Sequence, residues 1–73
     1  MNPEAIERMI EQGRDSYEAR LAAGQARLKA GDIVKALVHL ERATEQGPDK
    51  TMAWQSLGEA YLDRGQVDDA RSA

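Results

Sequence analysis

The residues Trp54-Gln55-Ser56-Leu57-Gly58-Glu59-Ala60-Tyr61, followed after eight more by Ala70, have helical spacing. Trp54, Leu57 and Tyr61 stand at i, i+3 and i+7, which puts three large side chains on one stripe of an α-helix. Gly58 lies beside that stripe, four residues after Trp54. A glycine inside a helix costs about 1 kcal/mol against alanine. Its presence here implies that a second backbone comes close.

The pattern repeats. A shift of 34 residues places Tyr17–His39 on Thr51–Ala73, and six of the 23 pairs are identical. They are Ala19/Ala53, Gly24/Gly58, Ala26/Ala60, Leu28/Leu62, Gly31/Gly65 and Ala36/Ala70. Ordinary residue usage gives roughly two by chance. The series W-x2-L-G-x2-Y-x8-A, with this period, resembles the tetratricopeptide repeat, a helix-turn-helix unit of about 34 residues. The resemblance covers residues 17–73. It implies an all-α fold of antiparallel helix-turn-helix repeats, an α-solenoid fragment with an N-terminal helix. Residues 17–50 form one repeat, completed by Leu40, Ala43 and Pro48 where the family places a large apolar residue, a small one and a terminating proline. Residues 51–73 begin a second, which stops within its second helix. Residues 1–16 are read as an N-terminal capping helix.

Seventy-three residues hold one small domain with a thin core. Aromatic residues are 4% and Phe is absent, so the core is built from Leu, Ile, Val, Ala and Met. A net charge of −3 argues against nucleic acid, which favours a basic face. There is no cysteine, hence neither a disulfide nor thiolate chemistry. No apolar run is long enough for a membrane span or suited to a signal peptide. The expectation is a cytoplasmic chain with no membrane partner.

Taken in order, Asn2 can cap a first helix, with Pro3 in its first turn and Glu4 complementing the helix dipole. Ile6, Met9 and Ile10 form its apolar stripe, and Gly13 ends it. The repeat register sets Ile6 against Leu40 and Met9 against Ala43, as if this helix imitated the second helix of a preceding repeat. The plainer reading is a solvating cap without fixed register. Asp15 or Ser16 caps the next helix, Tyr17 to Ala30. Arg20 stands where the family has Trp and Arg27 where it has Tyr. That suggests a more solvated helix, or one covered by polar groups from the N-terminal segment. Gly31-Asp32 makes a turn and cap, and a helix follows to about Gln46 on Ile33, Ala36, Leu37, Leu40 and Ala43. Gly47-Pro48-Asp49 stops it. A helix from Thr51 to Arg64 ends at a second turn, Gly65-Gln66. Val67 and Ala70 start a fourth, with Asp68 and Asp69 near its positive end. An isolated helix so short is marginal in water, so residues 67–73 are expected to fray unless covered.

The sequence contains no phosphate loop, nucleophile elbow, paired His or Cys, or His-Glu-x-x-His. His39 is the single histidine, and its helix neighbours Lys35 and Ala43 are not ligands; a solvated-face histidine is expected. Neither an enzyme, a cofactor nor a metal site is indicated.

The resemblance implies a binding scaffold whose first helices line a concave groove for a peptide or helix of a partner protein. Carried over, the groove residues are Glu18, Leu21, Gln25, Leu28 and Lys29, then Met52, Gln55, Glu59, Leu62 and Asp63. The Lys-Asn pair with which one subfamily clamps a carboxyl terminus would fall at Leu21-Ala22 and Gln55-Ser56. Neither matches, so that clamp is rejected. The bland alternative is a solvated surface. A second function class is an assembly module, a homodimer formed through the incomplete last repeat. Gly24 and Gly58 are both expected to be helix-contact glycines, and Trp54 to be buried near Leu40 and Ala43.

Overall fold

Asn2 caps the first helix as its position suggests: its Oδ1 accepts the Glu4 N–H at 3.0 Å. The computed structural model describes the backbone of residues 2–72 and the side chains of residues 2–66. These residues form four helices, α1 (Pro3–Glu11), α2 (Tyr17–Lys29), α3 (Ile33–Gln46) and α4 (Thr51–Ser72). The described residues contain no strand. Ser16, not Asp15, caps α2, accepting the Ala19 N–H at 3.2 Å. Asp32 caps α3 through the Lys35 N–H. Gly31 takes a φ of 84°, in the left-handed region. There its N–H bonds to the Leu28 carbonyl, and the Asp32 N–H bonds to that of Arg27. The turn thus satisfies carbonyls that the end of α2 leaves open.

This turn folds α3 back along α2, and these two helices share the largest interface. Ala36, Leu37 and Leu40 of α3 join Leu57 and Ala60 of α4 in one buried cluster, with Leu21, Leu28 and Ile33 packed on it. Leu40 is wholly buried. It sits against Gly24: a Cβ added there would lie 2.6 Å from both Cγ and Cδ2 of Leu40. Gly24 is therefore a helix-contact glycine. Gly58 is not, because it is exposed and an added Cβ meets nothing within 4 Å. No described residue stands to Gly58 as Leu40 stands to Gly24.

Two further expectations are overturned on α4. Trp54 is 50% exposed, with its indole N–H donated to the Pro48 carbonyl at 2.9 Å. The face that α4 buries is the neighbouring one, Ala53, Ser56, Leu57 and Ala60, of which Leu57 and Ala60 pack on Ala36, Leu37 and Leu40 of α3. The turn expected at Gly65-Gln66 is absent, and α4 runs on to Ser72. A helix folds back only for what it buries. After Gly31 the returning stretch brings Ile33, Ala36, Leu37 and Leu40. After Gly65 the same register brings Val67 and Ala70, with Arg71 where Leu37 would be. Continuing the helix keeps each backbone hydrogen bond. The expectations for the side chains of Val67, Asp68, Asp69 and Ala70, and for fraying of residues 67–73, lie outside the described residues.

α1 packs on α2 and buries Ile6, while Met9 is 41% exposed. It is not a cap without register, because charged side chains fix it. Glu7 accepts two bonds from Arg27, at 3.0 and 2.5 Å, and one from His39 Nε2 at 2.6 Å. Arg20 is held bidentate by Asp15, at 2.8 and 2.9 Å, and reaches His39 Nδ1 at 3.1 Å. Gln46 bonds to Asp15 from the end of α3. Arg20 and Arg27 are thus covered by polar groups of the N-terminal segment, the second of the two readings above. His39 is buried, not solvated, because Glu7 and Arg20 close over it from α1 and α2.

Glu7 titrates well below the usual carboxylate range, pulled down to about 2. The cause is chiefly the hydrogen bond from Arg27, which outweighs the opposing cost of burial, with His39 adding to it. Since the folded value lies below the ordinary 4.5, this contribution to stability is complete above about pH 4.5 and is lost as the pH falls toward 2. Urea melts at several pH values should show Glu7→Gln less stable than wild type at pH 7, with the two converging near pH 2. At the glycines, Gly24→Ala should destabilise by about 1–3 kcal/mol through overpacking. Gly58→Ala should stabilise by up to about 1 kcal/mol through helix propensity. Thermal melts of the pair test the asymmetry.

Candidate functional site

Positions 18, 21, 25, 28 and 29 of α2 and 52, 55, 59, 62 and 63 of α4 come from the same register of two helices that flank α3. Where they face each other, Gln25, Leu28 and Lys29 meet Glu59 and Asp63 around a shallow cavity of about 300 Å³. Ser56 completes its lining. Gln25 Nε2 donates to Ser56 Oγ at 3.2 Å and ties α2 to α4 at the floor. A second hollow of about 320 Å³ runs from Gln25 and Lys29 to Ala22 and Ala26 on α2.

The chemistry of this surface is mixed. One ammonium, from Lys29, faces two carboxylates, Glu59 and Asp63, which lie at i and i+4 on α4. Leu28 supplies an apolar wall while its other side packs on the core. Such a cavity suits a side chain with an apolar stem and a polar tip.

The other five expected groove residues lie outside both hollows. Leu21 is half-buried and packs on the core cluster. Glu18 is exposed, 3.9 Å from Lys50 Nζ, which itself stands over the Tyr17 ring at 4.5 Å. An exposed pair of this kind contributes at most about 1 kcal/mol. Met52 and Leu62 are 56% and 70% exposed, and Gln55 is exposed as well. Ser56, Ala22 and Ala26 line the hollows without having been expected. Their signal was present in the sequence: Ser56 and Ala22 share a repeat position, and Ser56 precedes Glu59 by three residues. No group of three His, Cys, Asp or Glu among the described residues could hold a metal ion. Among the described residues, no helix is long and apolar enough to cross a membrane.

Residues 21–73 match the sequence profile of the tetratricopeptide repeat. The chain is also similar to a TPR repeat-containing protein of Pseudomonas aeruginosa, PA0015. Identity is 37% over 70 residues, which span 96% of this chain and 67% of the relative. It is 45% identical over 47 residues, 64% of the chain, to Superkiller complex protein 3 of Mus musculus, of which those residues make up 3%. No solved structure matches the chain significantly.

The half-exposed indole gives a direct check on this geometry. Trp54 is the single tryptophan. Its emission maximum should be that of a partly hydrated indole, and acrylamide should quench it readily in the folded protein.

Proposed function

Because this chain belongs to the tetratricopeptide repeat family, whose repeats mediate protein–protein interaction, we propose that it is a non-catalytic adaptor for a partner's peptide or helix. The segment binds on the surface shared by α2 and α4. One observation carries this reading: side chains a repeat apart, Gln25, Leu28 and Lys29 against Ser56, Glu59 and Asp63, converge on one cavity. A scattered solvated surface would not gather them. The family supports a cytoplasmic scaffold without cofactor, metal, nucleic-acid or membrane partner.

A second reading rests on a separate observation. Trp54, Tyr61 and Leu62 are large, exposed and on one helix, with the open Gly58 among them. Tyr61 donates to Glu41 at 2.7 Å, but its ring is otherwise half in water. This is the surface through which the module would self-associate.

Panning a peptide library on the wild-type chain and on the Gln25→Ala/Glu59→Lys double variant tests the first reading. Selected peptides should bind the variant at least about tenfold more weakly, as loss of a few central contacts does. Equal binding would remove the α2–α4 surface from consideration. Sedimentation over a hundredfold range of concentration tests the second, and a wild-type dimer abolished by Trp54→Glu would favour it.

A further inference from the structure

Trp54, Gln55, Gly58, Tyr61, Leu62 and Gly65 are all exposed, and none carries a charge in a chain that is 32% charged. At about 100° per residue they share one arc of α4, roughly 120° wide. The polar atoms of the two aromatic rings are already engaged, the indole N–H with the Pro48 carbonyl and the phenol with Glu41. What stays open is ring surface and Leu62, which is 70% exposed. Covering these groups strands no hydrogen-bond donor.

The arc is also balanced about its centre. Trp54 and Leu62 lie four residues either side of Gly58, and Gln55 and Tyr61 three either side. An isologous contact requires such balance, because the patch must meet itself. A partner of different sequence does not. We propose that α4 pairs with the α4 of a second copy of this chain, antiparallel, about a two-fold axis beside Gly58. Helix geometry then decides the contacts. Trp54 and the partner's Tyr61 lie on one side of the seam, about 1.5 Å apart in height, and symmetry makes two such aromatic pairs. On the other side Leu62 meets the aliphatic stem of the partner's Gln55. At the centre the two Gly58 backbones meet with no side chain between them, since an added Cβ there has nothing within 4 Å inside the chain. The pairing rests on the self-association reading above and supplies its orientation. It leaves the α2–α4 cavity open, because Glu59 and Asp63 lie outside the arc.

The chain has no cysteine, so single-cysteine variants report this geometry without background. Gly58→Cys and Gly65→Cys are both accommodated, as neither site has a neighbour within 4 Å. In the antiparallel pair the two copies of position 58 meet, while those of position 65 stand about 21 Å apart along the seam. Sedimentation of the wild-type chain should show a dimer. Mild oxidation should join Gly58→Cys into a disulfide dimer at least about tenfold faster than Gly65→Cys. Should Gly58→Cys lose its helical circular dichroism, a mixture of Gln55→Cys and Leu62→Cys replaces it and should cross-link faster than either variant alone. Equal cross-linking at 58 and 65 within a wild-type dimer overturns the antiparallel pairing and leaves self-association standing. So does a mixture that gains nothing over its components. A wild-type chain still monomeric at about 1 mM overturns both, and assigns the face to a helix of another protein.

Discussion

Leu40 occupies the space that Gly24 leaves by having no side chain, and the α2–α3 pair depends on that fit. The contact sets how closely the two helices lie, and so which residues of α3 reach α4. Leu37 and Leu40 then face Leu57 and Ala60, and the small face of α4 closes on them. Because α3 lies between α2 and α4, it also sets the spacing between the helices that carry the candidate binding surface. A substitution at Gly24 would therefore disturb the candidate surface without touching it.

A different kind of force holds α1. Where the family places Trp and Tyr, this chain has Arg20 and Arg27, and each finds a carboxylate from the N-terminal segment. Exchanging an aromatic for a partly exposed ion pair gains little stability, since desolvation and solvent screening offset most of the attraction. It does impose direction. Glu7 must meet Arg27 and His39 together, and a slip of one residue along α1 would break both contacts. The seam thus specifies where α1 sits more than it adds to the free energy of folding.

Much of this fold was legible in the residues themselves. Asn2, Ser16, Asp32, Gly31 and Gly47 fixed the helix ends because capping and turn chemistry are local. The period of 34 exposed the α2–α3 pair and paired Gln25 with Glu59 on one surface. What could not be read was any feature that depends on a third element. Gly24 and Gly58 hold the same repeat position, yet only one has Leu40 opposite it. Trp54 belongs to the repeat signature, but α4 turns its neighbouring face to α3, so the indole stays half in water. His39 looked solvated from its own helix, because the Glu7 and Arg20 that bury it come from elements 32 and 19 residues away. Of the ten expected groove residues, those that face the opposite helix met in the cavity. Leu21 turned to the core instead, since helix register alone does not say which side a neighbour takes.

The order in which the helices touch also bears on how the chain reaches its native state. α1 meets α2, α2 meets α3, and α3 meets α4, with little contact beyond neighbours. Such near-neighbour topology carries a small loop-closure entropy and favours rapid folding. The α2–α3 hairpin, with the shortest connection and the broadest interface, is the natural nucleus. Growth then spreads outward in both directions, as it does along a one-dimensional array. In a chevron analysis, truncating Leu40 would act mainly on the folding limb and truncating Ile6 mainly on the unfolding limb.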